Sequence, residues 1–144
     1  MTKVYVAASW RTERQPAVVA ALRGFGHEVY DFRNPPNGAG FGWEQILPGN
    51  PRGWSSAKYL GALAHPRAVE GFNADLGALR AADVCVLVQP SGRSAALELG
   101  YAAGMGKRCA VLLWPGEEPE LMLKVAGLLT PSLWDIHRWI TEGV

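Results

Sequence analysis

The chain has 144 residues, about one domain's worth, and 49% of them are apolar, enough for one sizeable core. Fourteen lysines and arginines nearly balance thirteen aspartates and glutamates. That balance argues against a nucleic-acid polymer or a membrane surface as partner.

The N-terminal MTKVYVAAS lacks a signal peptide's apolar h-region, and no apolar run approaches membrane-spanning length. Cys85 and Cys109 sit inside apolar, strand-like runs with no CxxC and no histidine nearby. Two buried thiols are expected, which fits a reduced, cytoplasmic compartment.

In chain order, Lys3–Ala8 (KVYVAA) reads as a strand and Ser9–Thr12 as a polar-aromatic turn. From Glu13 to Phe25, Val18, Ala21, Leu22 and Phe25 recur at helical spacing, and Pro16 suits a first turn. Gly24 and Gly26 stop that helix, and His27–Phe32 (HEVYDF) is a second strand. Asn34–Gly53 breaks the pattern with many Gly and Pro residues around Phe41 and Trp43. A loop this long is usually functional or disordered, and its aromatics favour a lid or a substrate wall.

Lys58–Leu63 is expected to form a short helix. Arg67–Ala82 is helical in pattern, with Val69, Phe72, Leu76 and Leu79 on one stripe and Asp75 off it. A valine-rich run from Val84 ends at Pro90, a polar turn follows over Ser91–Ser94, and AALELGYAAG is a helix. Arg108–Leu113 is another strand, Trp114-Pro115-Gly116 a turn, Glu118–Val125 helical, Ala126–Leu129 a short strand and Leu133–Thr141 a terminal helix. There is no repeat, low-complexity tract or linker, so residues 1–144 read as a single domain.

Strands alternating with helices predict an α/β, doubly wound parallel sheet of about five strands with helices on both faces. Ligands in such sheets bind beyond the carboxyl ends of the strands, at the switch in strand order. Three segments converge there: Ala8–Arg11, Asp31–Asn34 and Pro90–Ser94. Asp31 and Gly92 are therefore candidate substrate contacts.

Nucleotide motifs are wanting. GxGxxG does not follow the first strand, and the glycines of Gly100–Lys107 end a helix instead of opening one. The three histidines are scattered without ligand spacing, so no metal is expected. Glu98 is the sole ionisable group in AALELGYAAG. It reads as a partly exposed helix acid or, with Ser94 one turn earlier on the same face, as a site carboxylate.

Arg93 and Ser94 at a helix start suit an anion, and Ser94 also suits an N-cap. Arg11 is an anion ligand or a plain surface charge. Tyr5 is a core aromatic, or its hydroxyl orients Glu98. Asp75 taken alone is a solvated helix acid. Trp10 and Trp43 are packing residues or, from loops near the predicted site, a stacking wall for a flat ring. Two acids, an anion cradle and aromatic walls suit attack of a carboxylate on an anomeric carbon, with a covalent glycosyl intermediate. The substrate would be a glycoside with a flat leaving group: a nucleotide.

Three blocks, VYVAASWRTERQ (4–15), FNADLGALRAADV (72–84) and GRSAALELGYAAGMGK (92–107), resemble the nucleoside 2-deoxyribosyltransferase superfamily, including its nucleotide N-glycosidase branches. The resemblance covers most of the chain. It implies a flavodoxin-like fold, no cofactor, a small-molecule nucleoside or nucleotide as partner, and a homodimer or larger homo-oligomer. It also implies Glu98 as the nucleophile, Tyr5 as its orienting group and Asp75 as the acid that assists the leaving base. Ser9, Arg11 and Ser94 correspond to the 5'-phosphate cradle. Free-nucleoside transferases often carry an acid before the ELGYA helix, whereas this chain has SGRS, which favours a phosphorylated substrate and hydrolysis by water. A non-catalytic nucleotide-binding module of the same fold is the alternative.

Overall fold

The structure, a computed structural model, describes residues 1–36 and 38–143. Five strands, β1 (Lys3–Ala7), β2 (Glu28–Tyr30), β3 (Val84–Val88), β4 (Arg108–Leu112) and β5 (Leu128–Thr130), form one sheet. Its order is β2-β1-β3-β4-β5 and every pair is parallel, the flavodoxin-like arrangement. The helices are α1 (Gln15–Gly24), α2 (Ser56–Leu63), α3 (Pro66–Ala81), α4 (Arg93–Gly104) and α5 (Leu133–Glu142).

Every residue of β3 is buried, as a valine-rich strand covered on both faces should be. The β1–α1–β2 and β3–α4–β4 crossovers run in opposite directions across the sheet. With both right-handed, α1 and α4 fall on opposite faces. α5 shares the face of α1, because its His137 stacks on Phe25, just past α1, with ring centroids 4.4 Å apart.

The chain divides into two compact units, Met1–Asp31 with Leu79–Val144, and Phe32–Ala78. The first holds the sheet. Leu22 of α1, Leu99 of α4 and Ile136 of α5 are fully buried there. Basic side chains close its helix ends, where backbone carbonyls lack intrahelical partners. Lys107 Nζ donates to the carbonyls of Arg80 and Ala82 at the end of α3. Arg108 donates to the carbonyls of Trp139, Ile140 and Gly143 at the end of α5 and lies over the Trp139 ring.

Cys85 and Cys109 are register partners on β3 and β4, and both are buried free thiols, as the sequence led one to expect. Their mutual hydrogen bond, with burial, pushes the Cys85 thiol well above its ordinary range.

The second unit is held by aromatic rings. Trp43 lies edge-on to Phe41, Trp54 and Tyr59 at centroid separations of 5.0, 5.6 and 6.1 Å. Phe41 packs on backbone: a Cβ built at Gly71 would come within 3.0 Å of the Phe41 Cβ. Arg67 covers the Phe41 ring at 5.5 Å and donates to the Ala39 carbonyl. The Asn34–Gly53 stretch thus contains short 3-10 turns, Trp43–Gln45 and Pro51–Gly53.

Other expectations need correction. Residues 118–125 are not an α-helix; only a 3-10 turn, Leu121–Val125, forms there. The α3 stripe is not uniformly packed: Leu79 is buried, but Phe72 is 64% exposed. On α4 only Ala95, Leu99 and Ala102 are buried, and Leu97 is 74% exposed, so the helix buries one narrow stripe. Among the described residues no helix is long and apolar enough to cross a membrane.

His27, buried between α1 and β2, lies 3.0 Å from the His137 ring nitrogen. Burial first, then the charge of His137 and the amino terminus, lowers the His27 pKa. The unfolded chain therefore binds more protons than the fold just below the ordinary imidazole pKa of about 6.5, and stability falls as pH drops through that range. Thermal denaturation between about pH 7 and 5 should show a falling Tm, with a shallower slope in His27→Gln.

Candidate active site

The carboxyl edge of β1 and β3 is built from two turns that touch. After β1, Ser9–Thr12 closes on itself. The Thr12 N–H donates to the Ser9 carbonyl at 3.0 Å, the Ser9 N–H to Thr12 Oγ1 at 3.1 Å, and the Arg11 N–H to Ser9 Oγ at 3.1 Å. After β3, Thr12 Oγ1 donates to the Pro90 carbonyl at 2.6 Å. A Cβ built at Gly92 would lie 3.5 Å from Ser9 Cβ and 3.7 Å from Ser9 Oγ. Ser9 and Gly92 are thus neighbours, and the SGRS turn lies against the SWRT turn.

α4 begins at Arg93, and the cap position falls on Gly92, which has no side chain to accept from the first-turn N–H groups. The N-cap expected at Ser94 is corrected: Ser94 lies within the first turn. A helix start without a side-chain cap leaves N–H groups and the positive end of the dipole directed outward. Ser94 and Arg93 are exposed there, and Glu98, one turn on, is half-buried. The rise of 1.5 Å per residue separates Ser94 and Glu98 by about 6 Å along the axis. Glu98 borders the buried stripe of Ala95, Leu99 and Ala102.

Tyr5 is buried in β1 and stacks on Tyr30 of β2, with ring centroids 5.4 Å apart and planes at 13°. The core reading of its ring therefore holds. Asp31 is buried at the end of β2, and its Oδ1 accepts from Gln15 Nε2 at 2.8 Å. Trp10 and Arg11 are exposed on the β1 turn. These residues all belong to the sheet unit. Asp75, half-buried on α3, and Phe41 and Trp43 belong to the Phe32–Ala78 unit, where Phe41 and Trp43 are occupied in the aromatic cluster.

Sequence reading missed three residues that position this edge. Thr12 joins the two turns. Gln15 holds Asp31 from the first turn of α1. Arg14 donates to the Leu112 and Leu113 carbonyls at 3.1 and 3.3 Å, which fixes the end of β4, and lies 4.5 Å over the Trp114 ring. Burial lowers the pKa of this guanidinium. The available signal was the cluster of polar residues T-E-R-Q immediately after the first strand, where α1 should have faced solvent. Among the described residues no group of three or more His, Cys, Asp or Glu is assembled to hold a metal ion.

The fold is shared with solved structures. A 2-deoxyribosyltransferase from Bacillus psychrosaccharolyticus aligns over 94% of this chain and 90% of its own, with 23% identity and a TM-score of 0.59. The CMP N-glycosidase BcmB of Clostridium botulinum aligns over 96% and 98%, with 15% identity and a TM-score of 0.53. A conserved protein from Enterococcus faecalis V583 aligns over 100% and 99%, with 15% identity and a TM-score of 0.63. No family model and no curated protein matches the sequence.

Replacing Thr12 by Val keeps the shape and removes the hydroxyl's bonds to the Ser9 N–H and the Pro90 carbonyl. Chemical denaturation should show a loss of about 1–3 kcal/mol.

Proposed function

We propose that the protein cleaves or transfers at the N-glycosidic bond of a (deoxy)nucleoside or nucleoside 5'-monophosphate, as a member of the nucleoside 2-deoxyribosyltransferase superfamily. The observation that carries this reading is Glu98, half-buried one turn behind an N-terminus of α4 that lacks a side-chain cap and rests against the β1 turn. The fold shared with a deoxyribosyltransferase and a CMP N-glycosidase supports it.

The Glu98 carboxylate attacks C1' of the sugar. The C1'–N bond breaks, its electron pair leaves with the base, and a proton joins the departing nitrogen. Water then attacks C1' of the glycosyl ester, releases the sugar and returns Glu98 to its carboxylate form. The sequence resemblance assigns the leaving-group proton to Asp75 and the orientation of Glu98 to the Tyr5 hydroxyl. Ser9, Arg11, Arg93, Ser94 and the N–H groups following Gly92 receive the 5'-phosphate. Trp10, Phe41 and Trp43 are assigned to the base, and Asp31 to a polar substrate contact.

The dipole of α4 contributes only about 0.3–1 kcal/mol to holding an anion. Most of the acceleration must come from positioning and from stabilising the oxocarbenium charge. Two guanidiniums beside the helix start, and no acid in the SGRS turn, favour a phosphorylated substrate and water as acceptor.

Incubation with a panel of nucleosides and 5'-monophosphates, followed by chromatography of free base, tests the reading. Base release should fall at least about a thousandfold in Glu98→Ala. Turnover unchanged in that variant removes Glu98 as the nucleophile. Arg93→Ala should raise KM for the 5'-monophosphate by roughly ten- to a hundredfold and leave the free nucleoside unaffected, as loss of a charge-assisted hydrogen bond requires.

A further inference from the structure

A cavity of about 440 Å³ opens at the same edge of the sheet, but around the ends of β4 and β5. None of the residues assigned above to the nucleotide lines it. Its volume lies in the range of small-molecule sites. Its apolar wall comes from Trp114, Pro119, Leu123, Leu129 and Pro131.

Three features define an occupant. Gln89, only 7% exposed, lines the cavity from the end of β3. Its Oε1 accepts from the Trp114 N–H at 3.1 Å, and its Nε2 has no hydrogen-bond partner among the described residues. That Nε2 is reached by solvent through the cavity, and it can donate to an acceptor seated there.

Trp114 is 51% exposed, an unusual state for an indole in a cavity wall, and Arg14 covers one face of it at 4.5 Å. The other face is left for a flat ring. Glu117, Glu118 and Glu120 also line the cavity, and no Lys or Arg does. Glu117 accepts from the Ser91 N–H at 3.2 Å, whereas Glu118 and Glu120 are exposed and form no ion pair among the described residues. They attract N–H donors or positive charge and repel phosphate.

We propose that this cavity binds a phosphate-free, amino-substituted heteroaromatic ring of the nucleobase type. A ring nitrogen or carbonyl accepts from Gln89 Nε2, the exocyclic amine faces Glu118 and Glu120, and the ring stacks on Trp114. This site requires no turnover at Glu98, so it stands or falls apart from the glycosidic reading.

Titration calorimetry of the full chain with adenine, cytosine and their 5'-monophosphates tests it. At least one free base should bind saturably with a Kd below about 1 mM. The affinity should fall at least about tenfold in Trp114→Ala and in the surface pair Glu118→Gln with Glu120→Gln, and stay unchanged in Glu98→Ala. The free base should still bind when the 5'-monophosphate is present in excess. Three results would overturn the proposal: no saturable binding of either base, binding that survives both substitutions, or binding that Glu98→Ala abolishes. Capture of an arginine-rich peptide in place of any base would also overturn it, since the acidic mouth would then be a protein contact.

Discussion

Thr12 is wholly buried, and its hydroxyl accepts from the Ser9 N–H and donates to the Pro90 carbonyl. The carboxyl edge of a parallel sheet consists of loops that the sheet itself does not pair. Whatever assembles there needs bonds running from one loop to the next. Thr12 supplies that link between the turns after β1 and β3, and with it Ser9 meets Gly92 and the first turn of α4 takes its place. Arg14 does the same for the end of β4, and Gln15 for the end of β2. Three residues at the start of α1 thus tie down the ends of all four strands nearest the switch in strand order.

The choice of small residues in α4 follows from the same constraint. Ala95 and Ala102 bring the helix close to the central strands, Leu99 is buried between them, and Glu98 is left at the border of that stripe. A larger residue in place of Ala95 would lift the first turn away from Ser9. Glu98 owes its half-buried position to its neighbours on the helix as much as to its own chemistry.

The sheet was largely legible in the sequence. Valine-rich runs such as VCVLV have only one comfortable place, a strand buried on both faces, and Cys85 and Cys109 were read as buried thiols on that ground. Glu98 stands out in the sequence as the one carboxylate of the α4 segment. Less was legible where the contacts have no period. The Trp43 cluster joins residues 41, 54 and 59 through edge-on ring contacts, which neither helical nor strand spacing reveals. The residue 118–125 segment looked helical by composition, yet only one 3-10 turn forms there, next to the Pro131 and Trp114 cavity wall.

From residue order alone came the alternation of strand and helix and the apolar runs that form the buried sheet. Local propensity and hydrophobic period suffice for these, because each is repeated along a segment. Which polar side chains hold that edge together was decided only by tertiary structure. Thr12, Arg14 and Gln15 read as an ordinary helix start, since a buried hydroxyl and a solvated one look alike in sequence. Gly92 in the cap position of α4 was likewise decided by the turn that meets Ser9. The cavity around Gln89 and Trp114 exists only because three separate loops close around it.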